Sequence, residues 1–212
     1  MFNKNFLIIT AHPDDLEAGC GGLVAKVNAN GGNVTNLILV KPSAEVNYNR
    51  DASIVRKELA NSVDVLKFNP VIYNTPLHEN KRPNLLLTTN LVTYAEKIAK
   101  DHDILITHWK EDHHQDHRVC YDLAKSIARK GFEKFFCMDQ VPYNLHYENF
   151  KSDFYVDITE NLEVKIKALE CYSSYYSSEA IETIINYNKY RGSFLGNKKV
   201  AETFKTIYNK QI

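Results

Sequence analysis

Little in this chain would staple or anchor it. Its four cysteines, Cys20, Cys120, Cys137 and Cys171, stand far apart in 212 residues and form no Cys-x-x-Cys pair. That argues against a disulfide framework and a cysteine zinc site. No apolar run approaches the length of a membrane-crossing helix, and Met1-Phe2-Asn3-Lys4-Asn5 lacks the apolar core of a signal peptide. A reduced, cytoplasmic location and no stable membrane insertion are the expectations. An excess of one charge is missing too. Lysine plus arginine (26) balance aspartate plus glutamate (26), so no net field favours nucleic acid. No linker rich in glycine, proline or serine divides the chain and no repeat runs through it. One domain spanning 1–212 is expected, long enough to bury a core.

What the chain does have is alternation. Short β-rich runs at Asn5–Thr10, Val34–Val40, Val71–Tyr73, Asp103–Thr107 and Lys134–Met138 alternate with helical patterns. The helical stretches lie near Gly21–Asn30, Ala52–Lys67, Asn84–Lys100 and Arg118–Lys130. Such alternation predicts βαβ units around a mostly parallel sheet, an α/β fold of three layers. After Asp153 the run Phe154–Ile158 reads as a half-buried strand. Helical segments follow from Asn161, with Thr159 as a candidate cap, and form a helical C-terminal extension. In the common strand order 3-2-1-4-5 the first and fourth strands are neighbours, and ligands bind beyond their carboxyl ends.

Both of those strands run into clusters of acids and imidazoles. His12-Pro13-Asp14-Asp15 follows the first, and His113-His114-Gln115-Asp116-His117 follows the fourth. A catalytic zinc takes three nitrogen or oxygen ligands and keeps a position for water, which it acidifies toward a pKa of about 7. His12 and Asp15 can bind one ion from a single turn, and His117 is the natural third ligand. Asp14 is then free to act as general base, a protonated His114 could stabilise an oxyanion, and Asp116 could orient an imidazole. His108 is an alternative ligand or a supporting group. Ferrous iron suits the same donors as zinc.

Plainer readings compete with this one. An Asp-rich turn is also how helices are capped, and His78, His102, His113 and His146 taken singly read as surface or satisfied histidines. Gly19-Cys20-Gly21-Gly22 suggests a phosphate turn but lacks Gly-x-Gly-x-x-Gly spacing, so close helix packing is the preferred role.

Ala11-His12-Pro13-Asp14-Asp15-Leu16-Glu17, the glycine run after it, and His114-Gln115-Asp116-His117 closely resemble the motifs of the PIG-L/LmbE family of zinc-dependent N-deacetylases. Further echoes are Arg56-Lys57-Glu58 with Ala60, and Arg191-Gly192 with Gly196, Ala201, Glu202 and Phe204. The resemblance implies a Rossmann-like fold and zinc on His12, Asp15 and His117. It also implies Asp14 as base, His114 on the oxyanion with Asp116 supporting it, and removal of acetyl from an amino sugar, commonly an N-acetylglucosamine conjugate. The chain departs from the pattern at Tyr172-Ser173-Ser174, where many members have His-x-Ser-Gln. Arg56, Arg191 and the Asn47–Arg50 loop with Arg50 are candidate sugar or anion contacts. The rivals are a non-catalytic sugar- or nucleotide-binding module and a metal amidase for another N-acylated small molecule. A homo-oligomer is compatible with the sequence.

Overall fold

Successive residues of the first strand, β1 (Asn5–Thr10), face two different cores. Phe6 and Ile8 pack on one side with Leu16, Leu23 and Val24; Leu7 and Ile9 pack on the other with Leu91, Leu123 and Ile127. A strand buried on both faces reads as a continuous apolar run, and that is how this one reads. The computed structural model describes residues 1–42, 51–79, 83–141 and 150–210.

The chain continues as α1 (Asp15–Ala29), β2 (Asn33–Ile38), α2 (Ala52–Leu66), β3 (Asn69–Ile72), α3 (Thr89–Ile98), β4 (Ile104–Thr107), α4 (Gln115–Ile127) and β5 (Lys134–Met138). It ends with β6 (Phe154–Asp157), α5 (Leu162–Glu170), α6 (Ser178–Gly192) and β7 (Ala201–Asn209). The sheet order is β3-β2-β1-β4-β5-β7-β6, with β1 parallel to both β2 and β4. The predicted order 3-2-1-4-5 therefore stands, within a Rossmann-like α/β fold whose helices cover both faces. Because Ile9 pairs with Thr107, the segments after β1 and β4 emerge side by side.

Several elements differ from the sequence expectation. The C-terminal part is not only helical: β7 inserts antiparallel between β5 and β6. Helix α1 begins at Asp15, well before the expected start near Gly21, and kinks at Cys20 (φ −152°, ψ 24°). The kink frees backbone groups that the rest of the chain satisfies. Glu202 of β7 accepts the Gly22 and Leu23 amides at 2.8 and 2.7 Å, and Lys165 of α5 donates to the Ala18 carbonyl at 2.9 Å. Lys165 and Glu202 are fully buried and pair at 2.6 Å.

The glycines allow this packing: a Cβ at Gly22 would fall 2.7 Å from Ile158 Cδ1, and one at Gly19 would crowd Met138. Helix α3 starts at Thr89, capped by the Thr88 hydroxyl, so Asn84–Thr88 lies outside it. Thr159 does not cap α5; it sits in a 3-10 turn, where its hydroxyl donates to Asp157.

Candidate active site

Asp15 stands at the centre of the site, buried in the first turn of α1. Its Oδ2 accepts the His12 amide at 2.7 Å and lies 3.4 Å from His12 Nδ1 and 3.3 Å from His108 Nε2. Its Oδ1 accepts Gln140 Nε2 at 2.9 Å and lies 3.3 Å from His117 Nε2. The expected ligands His12, Asp15 and His117 are thus brought together, with Asp15 between the two imidazoles.

Each imidazole meets a second carboxylate on its far side. His12 Nε2 is 3.3 Å from Asp116 Oδ2, and His117 Nδ1 is 3.0 Å from the fully buried Asp112. Carboxylate–imidazole pairs of this kind orient histidines that ligate metals. Burial opposes a charge on His12, but Asp116 and Asp15 outweigh it and carry its pKa up to about 10. Burial opposes the charge on His117 too, yet Asp15 and Asp112 raise it to about 9. The Asp15 carboxyl, despite its burial, is held well below its ordinary range by His117 and His108.

Asp14 is the N-cap residue of α1, yet its side chain makes no capping bond. The plain reading of this turn as a helix cap therefore fails for the carboxylate that matters. Tyr176 donates to Asp14 Oδ2 at 3.0 Å. Burial raises the Asp14 pKa, and the neighbouring Asp15 charge adds to that effect, which makes it a better proton acceptor.

His114 caps α4: its Nδ1 accepts the Asp116 amide at 3.2 Å. That acceptor role assigns the proton of the neutral ring to Nε2, so the ring can donate without being cationic. Burial lowers the His114 pKa, reinforced by His12 and His117, and this favours the neutral form over the protonated one expected from sequence. The ring stands 4.8 Å from His117 and 4.8 Å from His12, centroid to centroid. Asp116, expected to support His114, lies closer to His12: 3.3 Å against 3.9 Å.

Among the described residues, two overlapping groups could hold an ion: His12, His114 and His117, and Asp15, His108 and His117. His108 is fully buried, stacks on His117 at 3.7 Å, and has its pKa lowered to about 4 by burial and by His117. Behind the turn, Glu17 is buried against the Ser62 and Tyr172 hydroxyls, and burial pushes its pKa up to about 8.

The arginines fall elsewhere. Arg191 is joined to Asp139, which its Nη2 meets at 2.6 Å, while Tyr187 and Thr203 donate to the same carboxylate oxygen. Arg56 is exposed on α2, its Nε on the Ala52 carbonyl. Arg50, the Asn47–Arg50 loop and His146 lie outside the described residues. Sequence reasoning missed Asp112, Gln140 and Tyr176. The first had a local signal, an acid shortly before His117 in the same turn; the other two had none.

An α/β scaffold of the Rossmann-like class thus carries, beyond β1 and β4, a histidine–aspartate cluster that could hold a metal ion. The chain belongs to the PIG-L family: the family model described as GlcNAc-PI de-N-acetylase matches residues 7–128. A curated relative, diacetylchitobiose deacetylase of Thermococcus kodakarensis, is 25% identical over 195 residues, covering 84% of this chain and 73% of that protein. Among solved structures, the conserved protein TT1542 of Thermus thermophilus superimposes with a TM-score of 0.83 at 20% identity, over 99% of this chain and 97% of that one. GalB, the 4-carboxy-2-hydroxymuconate hydratase of Pseudomonas putida, superimposes with a TM-score of 0.81 at 15% identity, over 99% and 98%. These two likenesses establish the fold alone. No helix among the described residues is long and apolar enough to cross a membrane.

Proposed function

We propose that this chain is a single-domain, metal-dependent N-deacetylase that hydrolyses the acetamide of a small N-acetylated amino-sugar conjugate. The observation that carries the reading is the pairing of two carboxylate-backed imidazoles on Asp15, with the Asp14 carboxylate, which has no capping role, beside them. We assign a divalent ion such as zinc to His12, Asp15 and His117, a set that takes members of both groups able to hold one; ferrous iron suits the same donors. A bound ion supplies Lewis acidity and a water of lowered pKa.

The chain's own residues do the rest. Asp14 takes a proton from the attacking water and returns it to the departing amine as the C–N bond breaks, leaving acetate and a free amino sugar. His114 donates from Nε2 to the oxyanion, a contact typically worth about 10²–10³ in rate. Asp116 and Asp112 hold His12 and His117 in orientation. Family membership and the deacetylase relative support the acetylated-sugar class. Arg56 and Arg50 remain our candidates for outer sugar or anion contacts. Arg191 would act there only by giving up Asp139.

The test is a panel of N-acetylated sugars and N-acyl amino acids assayed with wild-type protein and two variants. Asp14→Asn should abolish turnover while retaining bound metal, and His117→Ala should lose both. Full activity in Asp14→Asn would refute the base assignment. Preference for acyl amino acids would favour the amidase alternative, and no metal uptake at all would favour a binding module.

A further inference from the structure

Tyr176 belongs to no motif read from the sequence, yet it reaches the proposed base. We propose that Tyr176 is a positioning residue that fixes the Asp14 carboxylate for proton transfer, an inference that rests on the reading of Asp14 as general base.

Three observations carry it. First, Asp14 makes no capping bond, so the helix that follows does not lock its carboxylate. An aspartate so placed turns about two side-chain torsions unless something holds it, and the Tyr176 hydroxyl at 3.0 Å from Oδ2 does so. Second, the hydroxyl is delivered by a turn that is itself fixed. Tyr172, in the same turn, donates to the Pro13 carbonyl at 2.7 Å, and the Ser174 amide and hydroxyl each donate to Glu58 at 2.7 Å. The Tyr176 amide donates to the Tyr172 carbonyl at 2.9 Å, and its ring packs on the cluster of Ala18, Leu169 and Ile184. Third, the two tyrosines hold consecutive residues, Tyr172 the backbone of Pro13 and Tyr176 the side chain of Asp14. The segment that departs from the His-x-Ser-Gln pattern is thus the one that grips the catalytic turn.

The division of labour is simple. With Oδ2 occupied by the tyrosine, Oδ1 is the atom that takes the proton from water and passes it to the amine. Tyr176 keeps its own proton throughout and lies outside the transfer path. It acts only by where it holds Asp14, and misplacement of a reacting group by about 1 Å can cost about 10²-fold in rate.

Tyr176→Phe keeps the ring and its packing and removes only the hydroxyl. Its kcat should fall about 10–100-fold, with KM and bound metal unchanged, because the loss concerns the reaction step and not binding. Crystal structures of wild type and Tyr176→Phe should show Asp14 ordered in the first and rotated or split in the second. An unchanged kcat, or a loss confined to KM, would overturn the proposal. If the wild-type protein turns over no acetylated sugar, the deacetylase reading fails, but the crystallographic comparison still decides the role of Tyr176. An Asp14 carboxylate unmoved by loss of the hydroxyl overturns it.

Discussion

Asp15 meets His12 on one oxygen and His117 on the other, and both of these imidazoles are pushed toward the cationic form by Asp15 and by carboxylates on their far sides. An ion can occupy this site only by displacing those protons. With His12 raised to about 10 and His117 to about 9, loading the metal-free protein at pH 7 should release up to about two protons per chain. Calorimetry in buffers of different ionisation enthalpy measures this, and zero release would mean that neither imidazole carries a charge in the metal-free protein at that pH. The sign for stability follows as well. Raised folded-state values make the charged imidazoles stabilising in the metal-free protein below the ordinary value of 6.5, and that contribution is lost as pH rises through 9–10. Replacing Asp112 by Asn should weaken metal affinity about 10–100-fold without removing a ligand, as read from competition with a chelator. His12, Asp14 and Asp15 were legible in sequence because they share one turn, and His117 because it falls in a second local cluster after another apolar strand. Gln140 and Tyr176 were not: each is an ordinary polar residue more than 120 positions from the turn it serves.

Helix α1 shows why an element can be harder to read than its residues. A run of three glycines in four residues reads as a turn, and glycine inside a helix costs about 1 kcal/mol relative to alanine. Here the run tolerates the kink at Cys20 and the close approach of Ile158 and Met138. A methyl at Gly22 has no room, so Gly22→Ala should destabilise the protein by about 1–3 kcal/mol, partly relieved by Ile158→Ala. Lys165→Met strands the Glu202 carboxylate in the core, and urea unfolding should register a loss of about 3–5 kcal/mol. A loss under about 1 kcal/mol would mean that the Gly22 and Leu23 amides alone suffice for Glu202. Strands β1 and β5 matched their predicted bounds because burial on both faces leaves an uninterrupted apolar signature. Strand β7 had no such signature: Glu202 and Thr203 are buried in it, and their polarity masked the pattern.

Across the whole molecule, the order of the sheet does most of the work of building the site. Parallel pairing of β1 with β4 carries two distant clusters to one edge, and the borrowed strand order already implied that. What the order could not convey is how far the last third of the chain reaches back. Residues of the β5 extension, the α5–α6 turn and β7 all end on α1 or on the turn before it: Gln140 on Asp15, Tyr172 on Pro13, Tyr176 on Asp14, Glu202 on Gly22. A variant lacking Ala201–Asn209 would expose the edges of β5 and β6 and lose the Glu202 contacts. It should fail to give a cooperative unfolding transition in circular dichroism.

That reach has a temporal side. Gly22 and its partner Glu202 are 180 residues apart, so on a ribosome adding about 5–20 residues per second the bent helix waits roughly 10–40 s for the carboxylate that completes it. The segment made first is among the last to be finished. A nascent or prematurely ended chain would carry every proposed metal ligand yet lack the Glu202 carboxylate that completes the bend of α1.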